Sequence, residues 1–134
     1  MHEAAERITQ RPRVLLVDDE EPILRSLGRI LHYLGCEVDV AHNATDAERH
    51  LDRREYTMAL VDVVMPGLDG LSLSALMRSR RPDMRVVVIS GKSGEDVLTD
   101  AFRSGADDFL SKPISPEQLR HLLHRFVWPR SEPF

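Results

Sequence analysis

Short β-branched runs alternate with helical stripes along most of this chain. The runs fall near residues 13–17, 37–41, 57–61, 85–89 and 106–110. Between them, apolar residues recur at helical spacing. Ile23, Leu24, Leu27, Ile30, Leu31 and Leu34 form one stripe, which Gly35 ends. Ala44, Ala47 and Leu51 form a thinner one. Leu73, Leu76 and Met77 follow, closed by Arg81-Pro82, and then Val97, Leu98, Ala101 and Phe102, stopped at Gly105. Ser115-Pro116 starts the last stripe, Leu119, Leu122, Leu123 and Phe126. Strand–helix alternation repeated in this way predicts an α/β fold, a doubly wound parallel sheet of five strands with helices on both faces. Strands 1, 3 and 4 are apolar throughout, as strands buried on both sides require. Glu37-Val38-Asp39-Val40 alternates and is expected at an edge.

The pattern also says where chemistry would collect. Val14-Leu15-Leu16-Val17 stops at Asp18-Asp19, and Met58-Ala59-Leu60-Val61 stops at Asp62. Val86-Val87-Val88-Ile89 stops at Ser90, and Phe109-Leu110-Ser111 runs into Lys112-Pro113. Parallel strands would bring these groups to one carboxyl edge, where open α/β sheets bind ligands. Each group has a plainer reading. Glu20 and Glu21 suit the N-terminus of the following helix, whose dipole favours acids. Asp62 could start a turn, although Pro66-Gly67 already supplies one. Asp69 is expected to cap the third helix, and Ser93 rather than Ser90 the fourth. A lone lysine is ordinarily a solvated charge, but Pro113 restrains the backbone before it and so fixes where Lys112 points.

Length and composition narrow the class. At 134 residues, 42% hydrophobic and 30% charged, the chain suits one globular domain. Its parts are a flexible lead at 1–11, a domain at 12–127, and a C-terminal tail or start of a linker at 128–134. A net charge of -4 gives no global attraction to nucleic acid or anionic lipid. The single Cys36 excludes an internal disulfide framework and a multi-cysteine metal site. No apolar stretch is long enough for a membrane span and the N-terminus lacks a signal-peptide core, so a cytoplasmic protein is the default expectation. The six histidines share no metal-ligand spacing and are expected at the surface.

Electrostatics changes the picture at the strand ends. Two carboxylates about 4 Å apart repel by about 4 kcal/mol at an effective dielectric of 20. Three of them opposed only by Lys112 would require a cation or shifted pKa values. Few, hard oxygen ligands point to Mg²⁺, with Mn²⁺ as the alternative.

Together Val17-Asp18-Asp19-Glu20, Asp62 with Met65-Pro66-Gly67-Leu68-Asp69-Gly70, Ser90-Gly91, Gly105-Ala106-Asp107-Asp108-Phe109 and Lys112-Pro113 resemble the receiver domain of bacterial two-component response regulators. The resemblance runs from about residue 12 to residue 127. It implies a flavodoxin-like (βα)5 fold with strand order 2-1-3-4-5. Asp62 resembles the phosphoacceptor, Asp19 the direct Mg²⁺ ligand, and Asp18 its partner acting through water. The backbone carbonyl of Val64 would complete the protein ligands. Ser90 and Phe109 resemble the switch residues, and Lys112 the lysine that pairs with phosphoryl oxygens. Val64 and Lys92 occupy the positions that tune hydrolysis.

The implied function is phosphorylation-dependent signalling rather than turnover of a substrate. Asp62 would take a phosphoryl group from a kinase phosphohistidine, with later self-dephosphorylation. The face of helix 4, strand 5 and helix 5 would then switch to control an output. The implied partners are a sensor histidine kinase or histidine phosphotransfer protein, and an output protein or covalent output domain. Homodimerisation on phosphorylation is compatible with the resemblance. No direct nucleic-acid binding and no membrane contact are expected. Two rivals differ in class. A phosphohydrolase of the haloacid dehalogenase type needs two aspartates two apart after strand 1, whereas Asp18 and Asp19 are adjacent. A pure interaction module would have a dead pocket.

Overall fold

The computed structural model describes residues 11–63, 70–91 and 95–128. Five parallel strands form one sheet in the order β2-β1-β3-β4-β5. They are β1 (Arg13–Val17), β2 (Glu37–Ala41), β3 (Met58–Asp62), β4 (Arg85–Ser90) and β5 (Asp108–Ser111). Helices α1 (Glu21–Tyr33), α2 (Ala44–Arg53), α3 (Gly70–Arg80), α4 (Glu95–Arg103) and α5 (Pro116–Leu122) connect and follow them. The last helix runs on as a π-helical turn, Leu123–Val127, closed by a 2.7 Å bond from the Trp128 N–H to the Leu123 carbonyl.

Strand alternation divides the core in two. Val14, Leu16, Met58, Leu60, Val87 and Ile89 face α1 and α5, where Leu24, Leu27, Leu31, Leu119, Leu122 and Leu123 are buried. Leu15, Val17, Ala59, Val61 and Val86 face the other way, against Ala47 and Leu51 of α2 and Leu73 and Met77 of α3. A smaller group, Val88, Ala101 and Ala106 with Phe109, Val63 and Leu71, completes that face beneath α4. Each fully buried leucine of this kind contributes about 1.5–3 kcal/mol relative to exposure. Cys36 lies wholly buried in the first cluster, and burial pushes its thiol up to about 11.

The boundaries have local causes. Gly35 and Gly105 end their helices with φ of 102° and 95°, a conformation that suits glycine. Ser115 accepts from the Gln118 N–H while the Gln118 side chain accepts from the Ser115 N–H, a reciprocal cap that Pro116 follows. Asn43 caps α2 by accepting from the Asp46 N–H at 2.8 Å. The caps expected at Asp69 and Ser93 lie outside the described residues.

Three elements differ from expectation. β5 starts at Asp108, not near 106, because the Asp107 N–H bonds the Val86 carbonyl and the Asp107 carboxylate takes the Val86 N–H at 2.9 Å. Arg78 bonds the same carboxylate and also the Gly105 carbonyl at 3.1 Å, fastening this loop to α3. β2 is an edge strand, yet its alternation is not one of burial: Val40 is exposed, while Asp39 is half-buried, taking a 2.6 Å hydrogen bond from the Tyr56 hydroxyl. In α4, Ala101 is buried but Leu98 is 40% and Phe102 48% exposed, so part of this apolar stripe stays in water.

Candidate functional site

The register of the sheet sets the site. Val17 pairs with Val61, Asp62 with Ile89, and Ser90 with Ser111, so β1, β3, β4 and β5 end at one edge. The polar residues stand at or just past those ends. Asp18 is held there by its N–H on the Ala41 carbonyl at 3.1 Å, and Lys112 by its N–H on the Ser90 carbonyl at 2.8 Å. Asp62 and Ser90 are the last residues of their strands. Side chains two apart along a strand share a face. Asp62 therefore follows Leu60, and Lys112 follows Leu110, toward the α1–α5 side. Ser90 follows Val88 toward the α3–α4 side, diagonal to Phe109, which pairs with Val88.

Asp18 and Asp62 are each 3% exposed and Ser90 is 1% exposed. The Lys112 ammonium draws the carboxylates together, at 3.1 Å from Asp18 Oδ2, 3.5 Å from Asp62 Oδ1 and 3.4 Å from Glu20 Oε1. Burial alone would lower the pKa of Lys112. The Asp18 carboxylate, then Asp62 and Glu20, outweigh that and hold it above the ordinary lysine value. The Lys112-Pro113 peptide is cis.

Glycine 70 supports the site from behind. Its N–H bonds the Val63 carbonyl at 2.9 Å, and a Cβ built on it would stand 1.9 Å from the Asp62 carbonyl oxygen. Only glycine lets α3 start this close to the strand that carries Asp62.

The residues fit a hard divalent cation. Asp18, Asp19, Glu20 and Asp62 each offer an oxygen, and these oxygens all lie within 4.8 Å of one another. Asp18 Oδ2 is buried and accepts no hydrogen bond among the described residues; the Lys112 ammonium, 3.1 Å away, is its ionic neighbour. Asp18 Oδ1 is already used by the Glu20 N–H at 2.9 Å. An all-oxygen donor set with a carboxylate oxygen to spare suits Mg²⁺.

Glu21 stands in the first turn of α1, as its reading as a helix-terminal acid expects, whereas Glu20 departs from that reading. Glu20 occupies the N-cap position of α1 without a capping side-chain bond, and its carboxylate turns to Lys112. Glu21 meets His42 Nε2 at 2.5 Å, which holds its carboxyl below the usual range.

The model of the response regulator receiver domain family matches residues 14–124. The chain belongs to this family. The receiver is 42% identical over 108 residues to the alginate biosynthesis transcriptional regulatory protein AlgB of Pseudomonas putida, an alignment covering 81% of this chain and 24% of that protein. It thus spans about a quarter of the length of that relative. Among solved structures it resembles the BeF3-activated DrrB receiver domain, with a TM-score of 0.82 and 26% identity over 89% of this chain and 99% of that one. It also resembles a Burkholderia pseudomallei response regulator solved with a phosphorylated aspartic acid, a calcium ion and citrate. There the TM-score is 0.77 at 26% identity, covering 89% of the receiver and 75% of that chain.

Of the residues singled out in the sequence, Asp18, Asp19, Asp62 and Lys112 come together in the cleft. Ser90 stands at its edge, and Phe109 is half-buried with Val88, Ala101 and Ala106. Val64 and Lys92 lie outside the described residues. The sequence reading missed the place of Glu20 beside Lys112 and the close approach of Gly70.

Proposed function

We propose that this receiver accepts a phosphoryl group on Asp62 and signals by the change that follows. The observation that carries the reading is the buried Asp62 carboxylate beside a buried Asp18, with one ammonium in reach of both. In the transfer, an Asp62 oxygen attacks phosphorus in line and the P–N bond of a phosphohistidine breaks. Its electron pair stays on the imidazole nitrogen, and an acyl phosphate forms. Lys112 neutralises charge on the phosphoryl oxygens, and the Ser90 hydroxyl donates to one of them. Asp18, Asp19, Asp62 and the Val64 carbonyl would hold Mg²⁺, with Mn²⁺ a substitute. When bound, the cation supplies positive charge to the phosphoryl oxygens. Val64 and Lys92 set how readily water reaches the product.

Ser90 and Lys112 follow the new charge of about -1.5 to -2. Phe109 lies on the same face of the sheet as Ser90, so movement at Ser90 reaches the α4–β5–α5 surface. A partner that prefers one arrangement shifts the balance between them. The donor is a sensor histidine kinase or histidine phosphotransfer protein. The reader is an output protein or a covalently attached output domain, and self-association on phosphorylation uses the same logic. The setting is cytoplasmic, and the domain at 12–127 acts without touching nucleic acid or membrane. Among the described residues, no helix is long and apolar enough to cross a membrane.

Incubation with acetyl phosphate and Mg²⁺ tests the assignment by intact mass. One phosphoryl group should be gained, dependent on the divalent cation and absent in Asp62→Asn. A gain that survives this substitution overturns it.

A further inference from the structure

The Lys112 ammonium has three N–H groups and three carboxylate neighbours: Asp18 Oδ2 at 3.1 Å, Glu20 Oε1 at 3.4 Å and Asp62 Oδ1 at 3.5 Å. The three neighbours differ in how firmly they are held. Asp18 and Asp62 are fixed at strand ends and their side chains are 5% and 4% exposed. The Glu20 side chain is 59% exposed and makes no cap on α1, so it is free to swing into water. The Lys112 ammonium donates to Glu20 Oε1 at 3.4 Å, so a new oxygen takes that N–H only if Glu20 withdraws, and of the three carboxylates Glu20 withdraws at least cost.

We propose that Glu20 is a positioning residue that stands in for a phosphoryl oxygen. In the resting state its carboxylate occupies the outer side of Lys112 and keeps the ammonium facing the cleft mouth. When an anionic phosphoryl group arrives on Asp62, Glu20 exchanges with it and turns outward. Glu20 thus sets the threshold for anion binding without touching the reacting atoms. The proposal rests on the reading of Asp62 as phosphoacceptor.

The neighbouring Glu21 provides an internal control. It carries the same charge one residue later and is 54% exposed, but it pairs with His42 and Arg25 instead of Lys112. Removing either carboxylate subtracts one negative charge from the start of α1; only removal of Glu20 frees an ammonium donor. Exposed ion pairs of this sort are weak, so freeing the donor should tighten anion binding by about two- to fivefold.

The experiment compares wild type, Glu20→Gln and Glu21→Gln by NMR. Beryllofluoride is titrated at saturating Mg²⁺, and the Lys112 side-chain resonances are followed without metal. Glu20→Gln should bind beryllofluoride about two- to fivefold more tightly than wild type and shift the metal-free Lys112 signals. Glu21→Gln should change affinity less than half as much and leave those signals in place. Equal effects of the two substitutions would reduce the role of Glu20 to general charge and overturn the exchange. Loss of Mg²⁺ affinity in Glu20→Gln alone would make Glu20 a metal ligand and also overturn it. If beryllofluoride binds none of the three proteins, the phosphoacceptor reading falls and takes this one with it; if it binds all three alike, only the exchange falls.

Discussion

Replacing Asp62 with asparagine should stabilise the metal-free protein while removing its chemistry. The carboxylate oxygens of Asp18, Asp19, Glu20 and Asp62 lie within 4.8 Å of one another. At that separation the buried Asp18 opposes Asp62 by about 3.5 kcal/mol at an effective dielectric of 20. The exposed Asp19 and Glu20 add about 0.9 kcal/mol each at the dielectric of water. Lys112, 3.5 Å from Asp62 Oδ1, returns about 4.7 kcal/mol on the first scale. The balance of these four charges on Asp62 is about 0.5 kcal/mol of net repulsion with each carboxylate set at 4.8 Å. Asparagine keeps the shape and one acceptor oxygen, and it also relieves the cost of burying a charge. A gain of about 1 kcal/mol in unfolding stability follows at low salt. The assay is a urea titration in chelator and low-salt buffer, repeated with Mg²⁺. The cation should stabilise wild type more than the mutant, by RT ln(1 + [L]/Kd) for the native state that holds it. If Asp62→Asn is no more stable than wild type without metal, the carboxylates do not repel one another as their spacing requires.

Three further outcomes are expected. Because Lys112 has a raised pKa, its pairing energy is fully present below the unfolded lysine value of about 10.4 and is lost as pH rises through the higher folded one. The stability difference between wild type and Lys112→Met should therefore hold steady from about pH 7 to 9.5 and narrow only above about pH 10.5, as read by denaturant titration; narrowing near pH 8 contradicts it. With beryllofluoride and Mg²⁺, amide shifts should extend across residues 93–126, and shifts confined to the loops around 19, 62 and 90 would show that no switch propagates. Val64→Asn should speed decay of the phosphorylated protein, followed by intact mass, because valine has no group to orient water; an unchanged rate removes position 64 from control of hydrolysis.

Much of this was legible in the chain itself. Runs of β-branched residues marked the strands because a strand buried on both faces tolerates no polar position. The site residues were legible for a related reason: a charged group directly after such a run has no solvent unless the sheet edge supplies it. What escaped depended on neighbours distant in sequence. The α4 stripe had the right spacing, but spacing identifies a stripe, not how fully it is covered, and Leu98 and Phe102 are only partly covered. Glu20 looked like a helix-terminal acid because Lys112, 92 positions away, does not enter a local pattern. Gly70 stood out only as the end of a motif, since the Asp62 carbonyl pressing on it belongs to another element. Asp107 carried no sign that it would meet Arg78 and the start of β4.

The partly exposed stripe of α4 bears on how large a shift in population the receiver can deliver. Reversing a 1:99 equilibrium to 99:1 takes a differential of about 5.5 kcal/mol between the two states. A helix sunk in the core along its whole stripe would add its own burial to that demand, at about 1.5–3 kcal/mol for each large side chain. Among the described side chains of α4, Ala101 is buried, while Leu98 and Phe102 keep 40% and 48% of their surface in water. Reorienting the helix moves two large side chains that are already partly in water, and covering them adds apolar burial to whichever state a partner selects. Slow hydrogen exchange in the strands beside fast exchange in α4 would be the equilibrium signature of that uneven cohesion.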